Sequence, residues 1–313
     1  MLVFRVLFLL LLTAYGCTPD YAIVAPEQVI YIEQEVEKEV PGEVWVESFT
    51  QPQTTNGVDI VWVIDRSCSM LDDEPQIMLG VQAMMDALPD KGWRLNMIST
   101  DPSKALEYKD FPLIPGDTLA DAYDLFDSMA NVPSAEEKGF EALHKYVTES
   151  PEAKYWMRED AALLVVFVSD EDDQSTRVFP MTSDFTDWYT STRAEGSTFM
   201  SSVVHLSVAE SMCNHAPVWE GKRYRGATGV YKGNVIDICT KDWSAGVKDA
   251  ARKVEPHEDW ELTYIPEPVS IKVFIDTYLN TDWHYDAATN KVVFDVIPPP
   301  ASLVEIGYVI QPS

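Results

Sequence analysis

Two stretches of the chain are almost free of polar residues: Val58-Asp59-Ile60-Val61-Trp62-Val63-Ile64 and Ala162-Leu163-Leu164-Val165-Val166-Phe167-Val168. A strand with one wet face alternates apolar and polar positions. An unbroken apolar run of this length fits a strand covered on both faces, as in a parallel sheet between two layers of helices. After the first run the period changes. Ile77, Val81, Met84, Met85 and Leu88 return every three or four residues, which predicts an amphipathic helix. Residues 93–100 read as the next strand, 118–130 and 135–147 as helices, 201–207 and 235–238 as late strands, and 243–254 as a last helix. Strands alternating with helices predict an α/β fold: a doubly wound, mostly parallel sheet flanked by helices. This domain is expected over residues 58–255.

Both flanks differ from it. From Pro256 the apolar positions recur with period two, and 260–265, 269–277, 291–296 and 304–309 read as strands, with turns at Ala288-Thr289-Asn290 and Pro298-Pro299-Pro300. A small C-terminal β-sandwich-like module is therefore expected over 256–313, with Trp283 and Tyr285 in its core. At the other end, Val6-Leu7-Phe8-Leu9-Leu10-Leu11-Leu12 follows Arg5 and is too short for a permanent span, so residues 1–17 read as a signal peptide. Ala14-Tyr15-Gly16-Cys17 resembles the lipobox of bacterial lipoproteins, although Tyr15 is bulkier than that motif's usual occupants. The resemblance implies lipidation of Cys17 and an exported chain, lipid-anchored in the bacterial cell envelope; Thr18 in the next position favours the outer membrane or the cell surface. Residues 18–57 form an acidic, proline-punctuated stretch that reads as an extended spacer. Within it Val44-Trp45-Val46-Glu47-Ser48-Phe49 alternates well enough to be a strand that pairs with the C-terminal β region.

Charge narrows the partners. With 23 Lys+Arg against 51 Asp+Glu the formal net charge is -28. That excludes nucleic acid, whose phosphates demand a basic footprint. It also leaves a lipid anchor as the only expected contact with a membrane, because basic patches for anionic lipid are lacking. The cysteines are Cys17, Cys68, Cys213 and Cys239. Cys17 closes the leader and Cys68 sits inside a motif, so Cys213 and Cys239 are the natural disulfide pair, pinning a loop over 212–234; two unbridged buried thiols are the other reading.

The motif is Asp65-Arg66-Ser67-Cys68-Ser69, directly after the first apolar run and before the first helix. Oxygen side chains on alternate residues of a tight loop can converge on one point. Hydroxyl and carboxylate oxygens suit a hard divalent cation. The carboxyl end of a central strand is also where open α/β sheets bind ligands. Asp-x-Ser-x-Ser at this place resembles the first motif of the metal-ion-dependent adhesion site of the von Willebrand factor type A (vWA) family, and the resemblance covers residues 58–254. It implies further ligands from two other loops. One is a threonine before a Gly-Leu helix start, where this chain has Ser134 ahead of Gly139-Phe140. The other is an aspartate after the second apolar run, here Asp170. Glu171, Asp172 and Asp173 read as a solvated loop, and Cys68, where many members have glycine, as a packed, unreactive thiol. The implied cofactor is Mg²⁺ or another divalent cation such as Mn²⁺ or Ca²⁺, and the implied partner is a protein ligand presenting an Asp or Glu carboxylate.

No enzymatic machinery is legible. The histidines (His144, His205, His215, His257, His284) show no zinc-ligand spacing, and neither a Gly-x-Ser-x-Gly elbow nor a phosphate-cradling loop occurs. The expectation is a non-enzymatic, surface-anchored adhesion protein; the alternative is a structural envelope lipoprotein with a vestigial metal site.

Overall fold

The computed structural model describes residues 42–54, 56–107, 111–129, 137–213 and 219–311. The leader with Cys17, most of the spacer and Ser134 lie outside the described residues. The elements in chain order are β1 (Val44–Thr50), β2 (Val58–Ile64), α1 (Glu74–Ala87), β3 (Trp93–Ser99), α2 (Leu119–Ser128), α3 (Gly139–Glu149), α4 (Pro151–Trp156), β4 (Ala162–Ser169), α5 (Thr182–Ser191), β5 (Thr198–Val204), α6 (Lys222–Val230), β6 (Val235–Asp237), α7 (Ser244–Arg252), β7 (Asp259–Glu261), β8 (Lys272–Ile275), β9 (Tyr278–Asn280), β10 (Trp283–Asp286), β11 (Lys291–Phe294) and β12 (Leu303–Val309).

The two apolar runs are neighbouring central strands. A five-stranded sheet has the order β3-β2-β4-β5-β6, and every pairing in it is parallel. Each residue of β2 and of β4 is buried, as expected for strands sandwiched between helices. The faces can be told apart by register. Trp62 lies opposite Val166, so Phe167, one residue on, projects from the other face. Trp62 meets α1, where its Nε1 donates to the Met84 sulfur, and Gly80 of the same helix lets the backbone approach the indole beside Val247 of α7. Phe167 packs against Phe140 of α3, Phe185 of α5 and Tyr224 of α6, with ring centroids 4.9–5.9 Å apart. The helix after β2 and the helix after β4 therefore cover opposite faces. The carboxyl ends of these two strands meet at the switch point of a doubly wound sheet, where such sheets bind ligands.

Several elements differ from the sequence reading. The segment 212–234 holds α6 in addition to loop, and α4 and α5 are helices whose polar exposed faces masked their periodicity. The fifth strand starts at Thr198 and stops at Val204, three residues earlier than predicted at each end. Residues 269–277 are a 3-10 turn (Pro268–Ser270) followed by β8, and not one strand, because Pro268 favours the turn.

The remaining strands form a β module of two antiparallel sheets, β1-β12-β8-β9 and β10-β11-β7. Its core comprises Phe49, Leu262, Ile271, Val273, Val292, Phe294, Val304, Ile306 and Tyr308, with Trp283 and Tyr285 partly buried against it. Strand β1 pairs antiparallel with β12 from Val44↔Val309 to Thr50↔Leu303. The end of the acidic spacer is thus a strand of this module. Glu47 fixes it there: its carboxylate accepts from Tyr308 Oη at 2.6 Å, Trp260 Nε1 at 2.8 Å and the Thr263 backbone N–H at 2.8 Å.

The module abuts the amino-terminal rim of the parallel sheet. Gln53 N–H donates to Gly196 O, and Ser197 Oγ donates to Gln53 O, immediately before β5. Buried Gln51 exchanges hydrogen bonds with the His257 backbone through its side-chain amide. The carboxyl ends of β2 and β4 lie at the opposite rim. Among the described residues no helix is long and apolar enough to cross a membrane.

Candidate metal site at the carboxyl rim

The loop after β2 turns sharply because Asp65 caps it. Its Oδ1 accepts from the Ser67 backbone N–H at 2.8 Å, an Asx turn that places the Ser67 and Ser69 hydroxyls on one side. Those hydroxyls lie 2.9 Å apart. From β4, Ser169 Oγ donates to Asp65 Oδ2 at 2.9 Å, and Asp170 Oδ1 accepts from Ser69 Oγ at 3.3 Å. Asp65, Ser67, Ser69 and Asp170, from two loops separated by about a hundred residues, therefore form one contiguous cluster of oxygens. Asp65 is fully buried, Ser67 nearly so, and Ser69 exposed.

The electrostatics are those of buried, crowded acids. Burial, with Asp170 nearby, holds the Asp65 carboxyl above its ordinary range despite the hydrogen bonds from Ser67 and Ser169. Burial likewise raises Asp170, with a further push from Glu171. Asp73, in the turn leading into α1, is pushed up to about 6 by burial and by Asp170 and Asp72. Glu137, just ahead of α3, is pushed up to about 7 by burial and then by the charges of Asp65 and Glu171. Four carboxylates crowd one small volume, and each is harder to ionise for it.

Sequence reasoning did not find Glu137, Asp73 or Ser169. Ser169 was the legible one, since it adjoins Asp170. Glu137 had no local signal. Its place follows from tertiary contacts: Gln174 N–H donates to Glu137 O at 2.7 Å, Gln174 Nε2 to Glu137 Oε2 at 2.8 Å, and Lys138 N–H to Thr100 O at 3.2 Å.

Two expectations for this rim are corrected. Cys68 is exposed and not packed, because the loop carries it outward while Met70 turns in. The run Glu171-Asp172-Asp173 is not a solvated loop. Asp173 is buried and accepts from Phe140 N–H at 3.0 Å, Ser175 Oγ at 2.7 Å, Ser175 N–H at 3.0 Å and Arg223 Nε at 3.0 Å. It caps the first turn of α3 from another element and ties α6 to the same loop. Asp172 accepts from Arg223 N–H at 2.9 Å. Arg66, inside the motif, points away from the oxygen cluster, with its guanidinium 3.9 Å over the Phe126 ring.

The donor set fits a hard divalent ion: carboxylates and hydroxyls, no sulfur or imidazole among the converging groups, and surplus negative charge. Asp65, Ser67, Ser69 and Asp170 would hold such an ion directly or through water, and Ser169 would orient Asp65 from behind. Elsewhere, Cys213 and Cys239 are joined by a disulfide with Cα atoms 5.5 Å apart, at the carboxyl ends of β5 and β6.

No family model and no curated protein matches the sequence. Among solved structures, the chain is similar to a von Willebrand factor type A protein from Catenulispora acidiphila, at TM-score 0.43 and 12% identity over 87% of this chain and 66% of that one. It is similar to proximal thread matrix protein 1 from the mussel byssus with a zinc-occupied MIDAS motif, at TM-score 0.43 and 10% identity over 67% of this chain and 49% of that one. It is also similar to the pilus adhesin SpaC from Lactobacillus rhamnosus GG, at TM-score 0.40 and 9% identity over 87% of this chain and 41% of that one. The chain spans between two fifths and two thirds of the length of these proteins.

Proposed function

We propose that this chain is a non-enzymatic binding protein of the bacterial cell surface, lipid-anchored through Cys17, that grips a protein partner through a divalent cation at the carboxyl rim of its parallel sheet. One observation carries the reading. Asp65, Ser67, Ser69 and Asp170 converge from the ends of two adjacent strands, at the switch point of the sheet, in a cluster whose acids all resist ionisation. Such a cluster gains most from a cation, which relieves the mutual repulsion and leaves coordination positions open for a carboxylate from outside. Ser134 is proposed as a further hydroxyl ligand. Mg²⁺ suits the oxygen donors best, with Mn²⁺ and Ca²⁺ as candidates of the same class.

The placement of the rim supports display. The described chain enters through β1 in the β module, which abuts the amino-terminal rim, so the oxygen cluster faces away from the point of entry. The described partners of the Ser67 and Ser69 hydroxyls are each other and the Asp170 carboxylate, with no histidine or lysine among them.

Thermal denaturation of the mature protein with Mg²⁺ and with EDTA tests the proposal. Binding to the native state adds about RT ln(1 + [L]/Kd), roughly 2.7 kcal/mol at a hundredfold excess over Kd. The shift should vanish in Asp65→Ala, and capture of a carboxylate-bearing partner should vanish with it. If wild type and Asp65→Ala respond identically to Mg²⁺, the chain is instead a structural envelope protein with a vestigial site.

A further inference from the structure

A second group of metal-binding atoms lies on the same rim, one strand pair away. His205 follows β5, Asp237 closes β6, and Cys239 follows it; Cys213 reaches back from the β5–α6 connection. One ligand atom from each of His205, Cys213, Asp237 and Cys239 lies within 4.8 Å of every other. The histidine Nδ1 is 3.6 Å from Cys213 Sγ and 3.4 Å from Cys239 Sγ. In a tetrahedral zinc centre, with Zn–S about 2.3 Å and Zn–N about 2.0–2.1 Å, a sulfur and a nitrogen ligand sit roughly 3.5 Å apart. Both observed separations have that value. A disulfide needs neither an imidazole equidistant from its two sulfurs nor a buried carboxylate beside it.

The carboxylate is held in place by hydrogen bonds. Asp237 is 8% exposed and accepts from Met212 N–H at 2.6 Å, Cys239 N–H at 3.2 Å and Ser211 Oγ at 3.0 Å. Ser211 Oγ also reaches the second carboxylate oxygen, at 3.1 Å, and hydrogen bonds of this kind orient a ligating carboxylate. Among the described residues no lysine or arginine pairs with Asp237.

We infer that His205, Cys213, Asp237 and Cys239 form a redox-gated site for a borderline-soft divalent cation, zinc foremost. In the disulfide state the sulfurs bond to each other and the site is closed. A dithiol reductant opens it: two electrons and two protons convert the bridge to two thiols, and the reductant leaves as its own cyclic disulfide. Zn²⁺ then displaces the two thiol protons to solvent and takes the two thiolates, the imidazole and the carboxylate. The site is distinct from the oxygen cluster in both ligand chemistry and position, and it does not depend on that cluster binding metal.

Co²⁺ is the probe, since it reports thiolate ligands and tetrahedral geometry by absorption. The full chain in a C17S/C68S background, reduced with a phosphine and freed of it, is titrated anaerobically. The expected result is one equivalent of Co²⁺ with intense tetrahedral d–d bands and a thiolate-to-metal band, displaced by stoichiometric Zn²⁺, absent from the oxidised protein and unchanged by Asp65→Ala. Cys239→Ser should abolish the thiolate band, and His205→Ala, which keeps both thiols, should weaken Co²⁺ binding at least tenfold. The inference is overturned if the reduced protein shows only weak octahedral bands, or if the spectrum and affinity survive His205→Ala. Should Cys239→Ser fail to fold, the oxidised-against-reduced comparison and the histidine variant still decide.

Discussion

At the residue scale the rim is governed by where carboxylates find donors. Asp65 finds a backbone N–H and a serine hydroxyl, so its shape is set before any ion arrives. Asp173 finds an arginine and the amino end of a helix, and stands outside the ligand cluster. Two aspartates of one sequence stretch, Asp170 and Asp173, thus serve different ends, and only the partners tell them apart. Asp173→Ala removes the cap of α3 and leaves the guanidinium of Arg223, itself only 15% exposed, without its carboxylate. The expected cost is ~3 kcal/mol of stability, the lower end for breaking a buried pair, read by urea denaturation. Because α3 carries the Glu137 loop, Mg²⁺ affinity should fall in the same variant. Unchanged stability would show that Asp173 does not organise the rim.

At the scale of elements, single side chains decide how a helix and a strand are held. Gly139 opens α3 where a Cβ would strike the Tyr224 hydroxyl, so this helix can approach α6 only through glycine. Strand β1 is more exposed. Its burial alternates, with one face to water, and Phe49 is its only fully buried side chain, stacked 4.2 Å from Trp260. Glu47 supplies most of the remaining hold. Burial raises its pKa, but the hydrogen bonds from Tyr308, Thr263 and Trp260 outweigh burial, and the net displacement is downward. A depressed carboxylate contributes stability that is present above its unfolded value and lost as pH falls through its folded value. Glu47→Ala should therefore destabilise the β module by ~2 kcal/mol at neutral pH, as expected when a charged acceptor is taken from its donors. The loss should shrink as pH falls below the ordinary carboxylate range and through the depressed folded value, where the wild-type carboxylate is itself protonated. Hydrogen exchange at the β12 amides would localise the effect.

At the scale of the whole molecule, the charge of -28 and the acids at the rim act in one direction. The folded-state values of Glu137, about 7 against an ordinary 4.5, and Asp73, about 6 against 3.8, are both raised. For a raised acid, stability is fully present below the unfolded value and is lost as pH rises through the folded one. Without divalent cations the protein should therefore lose stability between about pH 4.5 and 7, on the order of 1–2 kcal/mol, or roughly 3–6 °C in Tm for a chain of this size. Glu137→Gln should flatten that slope, and Mg²⁺ should restore stability above neutrality. A Tm that rises steadily over this range in EDTA would contradict the crowding of acids at the rim. The other rim is stabilised differently: Asp59, buried at the start of β2, accepts from Arg158 Nη2 at 2.7 Å and from its backbone N–H at 2.6 Å, with Arg193 3.9 Å away.

Much of this was legible in the chain. The runs at 58–64 and 162–168 fit strands buried on both faces, because a polar-poor stretch of that length between helix patterns has no water-facing side. Their ends located the Asp65 loop and Asp170, and the period-two segments after Pro256 announced the β module. These features follow from periodicity, which is local and survives in one dimension. What periodicity could not carry was decided by the fold. Glu137 joins Asp65 only because Lys138 and Gln174 hold the α3 loop over the end of β3. Asp173 leaves the rim only because Arg223, fifty residues away, comes to meet it. His205, read along the chain as an isolated histidine in an apolar strand, gains two sulfurs and a carboxylate only when β5 and β6 lie side by side. The charge and ligand chemistry of a site depend on distance in space, and that distance is set by strand order, which no local pattern records.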